Sequence, residues 1–505
     1  MSTDHVELTG RISAGPDDLL RTEVLEPQLR FELANLLPQY VRLEKVLLVE
    51  YARMGLLTGA QVGDIDAALD AATPEAVGRV AGAAMSDLAF GLERFVTARL
   101  PGTPPAWHVD RSRNDLQASA QLLHGRARLL DTADLLVELG RAASRLAART
   151  AHLVMPGYTH SQAAQLVSPA FYFSALTEQL LHTLSRLEPV YRTANTCPMG
   201  AGAMAGQELA WDRERMARLL GCDSAQRHAL RAVSQRDWAL EACAEFSMLG
   251  VALSRFVTDL MTWGGTGYGF IDLPDDWSGI SSAMPQKKNF PVLERIRGRT
   301  AHLHAAYHGI ATAQRATSYS NSVEVSKEAS AQVPAAFDNL ASIARLLTGV
   351  LDRLSFAEER LAAACAAEYF GGFTLANQLT LRAEVPWRTA QVVAGRYVVA
   401  AVGAGRAPTD PDPALLEAAL ADHGYRTPHS AAILRESMNV TTALAAKRTA
   451  GSTGPGPVRD LLAAQDAELD RLAADWAARR AGVADADTAL AAALAEARQD
   501  TRVRS

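Results

Sequence analysis

Apolar residues recur at three- and four-residue spacing over stretches too long for the helices of an ordinary compact domain. From Asp115 to His152, Leu116, Leu122, Leu123, Leu129, Leu130, Leu135, Leu136 and Leu139 fall on that period. Comparable patterns run over 163–192, 212–262, 290–316 and 326–352. Several pass the roughly 25 residues beyond which a bundle of long helices is the better expectation. Alternating stretches bounded by turns are nearly absent. The 505-residue chain is therefore expected to be mainly α, with a central bundle of long helices. The Pro/Gly-rich run at 101–105 and the shift to shorter, Ala-rich helices around 353–360 set the expected boundaries. These give an N-terminal helical domain over 1–107, the bundle over 108–360 and a C-terminal helical domain over 361–505, with a loop at Gly451–Pro457.

Charge and cysteine usage narrow the function classes. Fifty Lys+Arg against 56 Asp+Glu give a net charge of −6, which argues against a nucleic-acid binder relying on bulk positive charge. No apolar run reaches the ~18 residues of a membrane span, and Met1–Leu19 lacks a signal-peptide core, so a soluble, cytoplasmic protein is expected. Cys197, Cys222, Cys243 and Cys365 contain no C-x-x-C pair, so neither a disulfide framework nor a metal site is expected. Only five of the 50 basic residues are lysine, and Lys287, Lys288 and Lys327 are three of them. In a chain so biased to Arg, a surviving lysine points to a place where a compact point charge is needed.

Four islands interrupt the helical periodicity. HVDRSRND (108–115) precedes a long helix; its arginines, Ser112 and Asn114 can cradle a carboxylate, with Arg113 binding bidentately. By itself it reads first as a solvated helix start, with Asn114 or Asp115 as N-cap. MPGYTHSQ (155–162) reads as a Pro-Gly turn leading into a helix, presenting Thr159 and His160 at the helix mouth; an isolated turn histidine is more often structural. CPMGAGAMAG (197–206) follows no strand and lacks a ribose-binding acid at the dinucleotide spacing, so a tight turn or close backbone approach is the better reading. SGISSAMPQKKN (278–289) is a polar loop concentrating serines, both adjacent lysines and an asparagine, as a lid over an anionic substrate would. The bland alternative is a surface loop with solvated lysines.

In this order, the islands resemble the signatures of the fumarase/aspartase superfamily and, within it, of the argininosuccinate lyase family. HVDRSRND matches the first signature, MPGYTHSQ the second and GISSAMPQKKN the lyase loop, while CPMGAGAMAG, Gly269–Pro274 and EVPWR at 384–388 also match. The resemblance implies a bundle flanked by two smaller helical domains and a homotetramer whose active sites are shared among subunits. It also implies cofactor-free β-elimination of fumarate from a small succinyl compound. Carried over by motif, Ser281 is the base that takes the carbon-bound proton and His160 assists at the departing side. Lys287 and Asn289 hold the carboxylate on which charge develops, and Ser112, Arg113, Asn114 and Thr159 complete the succinyl clamp.

The departures lie at the amine half of the substrate. Where the family carries Tyr, Gln and Lys, the run YSNSVEVSK keeps Tyr319 and Lys327 but has Glu324 for the Gln. The N-terminal run at 25–45 has none of the family's polar residues in register, and Val109 and Asp110 replace small uncharged residues. A carboxylate at 324 either repels an anionic leaving group or pairs with Lys327, its i+3 neighbour. The expected activity is fumarate release from an N-substituted aspartate whose amine half is not arginine. Argininosuccinate cleavage proper and a catalytically silent homologue are the alternatives.

Overall fold

The computed structural model describes residues 15–81 and 87–499. Helix α1 spans Leu37–Arg53, and the bundle is built from α2 (Arg113–Arg149), α3 (Pro169–Ala194), α4 (Asp237–Gly264), α5 (Pro291–Gln314) and α6 (Val333–Arg353). Helix α2 packs along α3 and α6, and α4 along α5. Leu129, Leu136 and Leu139 of α2 and Leu180, Leu184 and Leu187 of α3 are all fully buried in one continuous core. Each such leucine contributes about 1.5–3 kcal/mol relative to exposure.

Local chemistry sets where the helices begin and end. The N-cap of α2 is Ser112, not Asn114 or Asp115: Ser112 is extended and its Oγ accepts from Asn114 N at 3.1 Å. That leaves Asp115 to act elsewhere. The periodic stretch 212–262 is broken into Arg213–Leu219, Ala229–Ser234 and α4. Gly221, at φ +68°, ends the first of these, and Cys222 N returns to Ala217 O at 2.9 Å as in a Schellman cap. The stretch from 326 becomes a regular α-helix only at Val333, after irregular helical turns over 324–332.

A last helix, α7 (Pro455–Gln499), runs back over the bundle against α1, α2 and α3. Its Leu469, Leu472 and Trp476 join the bundle core. Gly140 permits the approach, since a Cβ there would lie 2.8 Å from Leu469 Cδ2. A second, separate core of Leu375, Leu379, Val393, Tyr397, Leu416, Leu420, Ile433 and Leu434 lies between Gly372 and Met438. Residues 455–499 therefore add to the bundle core rather than to this smaller one. No helix among the described residues is long and apolar enough to cross a membrane.

Candidate active site

The start of α2 is pinned from both sides. Buried Asp115 accepts from Gly200 N and Gly202 N, each at 3.0 Å, so it clamps the glycine loop of the third island. Burial pushes its carboxyl up to about 7, with those two N–H groups opposing. Gly200 and Gly202 sit at φ +79° and +64°, and a Cβ on Gly202 would lie 2.4 Å from Gly206 O. Asn114 Nδ2 donates to Ala203 O at 2.9 Å, tying the same loop to the signature. Arg113 Nη1 meets Asp87 Oδ2 at 2.9 Å and its guanidinium lies 4.4 Å from the Phe90 ring centroid. Its side chain remains half exposed.

The charged residues just upstream are structural. Glu44, 2% exposed, holds His108 and Arg111. Burial would raise this carboxyl, but Arg111 and His108 hold it down at about 2. Asp110 accepts from Glu208 N, Leu209 N and Trp211 Nε1 at 2.9, 2.8 and 2.9 Å. Against burial, these donors keep it below the usual carboxylate range. The altered Asp110 of the signature is thus a strut for residues 208–211.

Lys327 and Glu324 do not pair. Lys327 Nζ instead meets the carboxylate of Glu32, on the N-terminal helix Glu26–Asn35. Glu32, 2% exposed, also accepts from Leu88 N at 3.1 Å and Gln28 Nε2 at 3.2 Å. Gln121 Nε2 of α2 holds the turn from behind through Ser326 O at 2.7 Å. Leu88 adjoins Asp87, so Arg113, Asp87, Glu32 and Lys327 form one continuous charged wall. Glu324 is fully exposed, and its own backbone N–H and Ser322 hold its carboxyl below the usual range. Tyr319 is 64% exposed.

His160 is not at a helix mouth. Residues Met155–Thr159 (β1) and Gln162–Val167 (β2) form an antiparallel hairpin, with Thr159 paired to Gln162. His160 and Ser161, at φ +54° and +61°, form its two-residue turn, the geometry of a type I′ connection. The following helix starts only at Pro169. Thr159 and His160 therefore stand exposed at a hairpin tip.

The fourth island closes as a second small hairpin, with Gly279 opposite Asn289 and Ile280 opposite Lys288. Ser281 Oγ accepts from Met284 N at 3.1 Å and Ala283 N at 3.4 Å. The two lysines have different duties. Lys288 reaches Asp272 and Asp275 at 3.0 and 3.2 Å and donates to Leu273 O at 2.6 Å, anchoring the loop base. Lys287 is exposed and has no ion-pair partner among the described residues. Asn289 Nδ2 reaches Ile280 O at 3.5 Å.

One chain thus carries three part-sites: the wall with Ser112–Asn114 and Lys327, the His160 tip and the Ser281 loop. Among the described residues, no hydrogen bond or ion pair joins one part to another. Sequence reasoning missed Glu32, Asp87 and Asp115. Only Asp115, inside a signature, carried any local signal.

The fold and this set of loops define a helical-bundle lyase. A lyase family pattern matches residues 92–303. Argininosuccinate lyase of Mycolicibacterium smegmatis is 32% identical over 477 residues, covering 91% of this chain and 96% of the relative. That of Lachnospira eligens is 31% identical over 386 residues, covering 76% and 82%. An EDDS lyase variant with bound fumarate superposes with a TM-score of 0.84 at 25% identity, covering 96% of both chains. The chain belongs to the fumarase/aspartase superfamily, as an argininosuccinate lyase-like carbon–nitrogen lyase of the fumarate-releasing type.

Proposed function

We propose that this protein releases fumarate from an N-substituted aspartate whose amine half carries no carboxylate against the Lys327 wall. The observation that carries the reading is the Glu32–Lys327 pair. A lysine there can hold an anionic group of the substrate only if its charge is available, and here a buried carboxylate of the same chain takes it. Glu324 adds a second, exposed carboxylate three residues away. A carboxylate on the leaving amine would face two anions and a neutralised cation.

The elimination removes the proton α to one carboxylate, which makes that carboxylate a dianionic aci-form, and the aci-form collapses to fumarate as the C–N bond breaks. Donors already in place must meet the added charge. Lys287, with no ion pair among the described residues, and Asn289 suit that carboxylate. Two backbone N–H groups directed at Ser281 Oγ favour its deprotonated form, which supports Ser281 as the base. His160, exposed on a rigid two-residue turn, suits proton delivery to the departing nitrogen. Ser112, Arg113, Asn114 and Thr159 would hold the second carboxylate of the succinyl unit. Tyr319 and Glu324 would line the amine side.

The separation of the three part-sites on one chain supports a homotetramer in which neighbouring subunits complete each site. Argininosuccinate cleavage is the second reading, favoured by the relatives at 31–32% identity that carry that name. A fumarate-release screen over N-succinyl amines, run also backwards from fumarate plus amines, tests the proposal. Release from carboxylate-free amines supports it; release from argininosuccinate alone overturns it.

A further inference from the structure

A buried arginine far from the proposed reaction has an unusual partner set. Arg126 of α2 is 2% exposed. It donates to Asn195 Oδ1 at 2.6 Å, Gly221 O at 2.7 Å, Leu220 O at 2.8 Å and Cys222 Sγ at 3.3 Å. None of these is a carboxylate. A buried guanidinium without a counter-charge is costly, and of the four groups only the Cys222 sulfur can become an anion.

A second thiol completes the arrangement. The chain segments that carry Cys197 and Cys222 run side by side, with Thr196 opposite Ser224 and Cys197 opposite Ala225. Asp223 N donates to Asn195 O at 3.0 Å and Gln226 N to Cys197 O at 2.8 Å, which holds the segments in register. Cys222 also lines a cleft with Tyr191, Arg218, Gly221, Arg479 and Asp485, open to solvent between the 218–223 turn and α7. All four cysteines are buried, Cys222 being 5% exposed, and burial alone pushes the Cys243 and Cys365 thiols up with no basic group opposing it.

We propose that Cys222 is a reactive thiolate and modification site, and that Cys197 resolves its oxidised form into an intramolecular disulfide. The charged and titratable groups facing Cys222 are Cys197, Arg126, Arg42, Asp223 and Tyr191, with Arg218, Arg479 and Asp485 further along the cleft. The neighbouring Cys197 thiol holds the Cys222 thiol below its ordinary range against burial, and Arg126 and Arg42 act the same way, while Asp223 opposes. Cys197 itself is pushed up by the neighbouring Cys222 and by burial. With a peroxide as oxidant, the Cys222 thiolate attacks one oxygen and the O–O bond breaks. Cys222 becomes a sulfenic acid and hydroxide leaves. The Cys197 sulfur then attacks the Cys222 sulfur, the S–O bond breaks, and water leaves with the thiol proton. The product cystine would cross-link the root of the glycine loop that Asp115 clamps.

The test uses the full-length protein in its native assembly. It is treated with hydrogen peroxide, blocked with N-ethylmaleimide, digested without reduction and mapped by mass. The expected result is a Cys197–Cys222 linked peptide lacking two hydrogens, with Cys243 and Cys365 unlinked. Iodoacetamide on untreated protein should modify Cys222 at least about tenfold faster than Cys243, as expected for a thiolate at a cleft against a neutral thiol in the core. Cys197→Ser should leave a Cys222 sulfenic acid that dimedone traps. If Cys222 stays unmodified in wild-type protein under conditions that oxidise free glutathione, or alkylates no faster than Cys243, the proposal is wrong. Both wild-type readings stand even if a variant fails to fold.

Discussion

Replacing Lys327 by Met tests the charged wall most directly. Glu32 is 2% exposed, so without the ammonium its carboxylate keeps, among the described residues, Leu88 N at 3.1 Å and Gln28 Nε2 at 3.2 Å as donors. Breaking a buried pair by removing one partner costs about 3–5 kcal/mol, because the remaining charge is left uncompensated. Glu32→Gln is milder, about 1–3 kcal/mol, since the amide keeps an acceptor and Lys327, whose side chain is 20% exposed, can turn to water. The double variant should recover much of the Lys327→Met loss, giving a coupling energy of about 2 kcal/mol or more. The assay is urea unfolding of the four proteins at one fixed subunit concentration. Equal, small and additive single effects would refute the pair, and with it the claim that the lysine is neutralised.

Other expectations follow from the same geometry. Ser281→Ala should abolish fumarate release while a succinyl-like ligand still binds, because a base acts in the transition state; near-wild-type turnover would remove Ser281 from that role. Lys287→Met should damage both ligand affinity and rate. Lys288→Met should act mainly by loosening the loop base, seen as faster proteolysis between 278 and 289; the reverse pattern would exchange their duties. Glu44, held at about 2 against an ordinary 4.5, adds stability above pH 4.5 that is lost as pH falls toward 2. That loss is on the order of 3 kcal/mol. Glu44→Gln should flatten the acid limb of a thermal-denaturation pH series, and an unchanged limb would show that other carboxylates control it.

Much of the bundle was legible because its signal is periodic. The leucine spacing from Asp115 to His152 anticipates a helix that runs from Arg113 to Arg149. Helix α7 was not legible: its apolar positions are diluted by alanine, and Pro455–Pro457, read as the end of a loop from Gly451, is in fact its first turn. The His160 hairpin was missed because its pairing rests on two residues at positive φ, His160 and Ser161, neither of which is glycine. Motif order singled out the candidate loops. Sequence spacing could not disclose that Glu32 reaches Lys327, 295 residues away, or that Lys288 is spent on Asp272 and Asp275. Those facts come from packing.

The central claim concerns one carboxylate on the leaving amine, and a matched substrate pair isolates it. The measurement is kcat/KM for fumarate release from argininosuccinate and from its analogue lacking the arginine α-carboxylate, in one buffer with the wild-type protein. With Lys327 taken by Glu32 and Glu324 nearby, unfavourable charge of about 1.5–3 kcal/mol predicts a preference for the analogue of roughly tenfold to a hundredfold. Equal values, or a preference for argininosuccinate, would contradict the account.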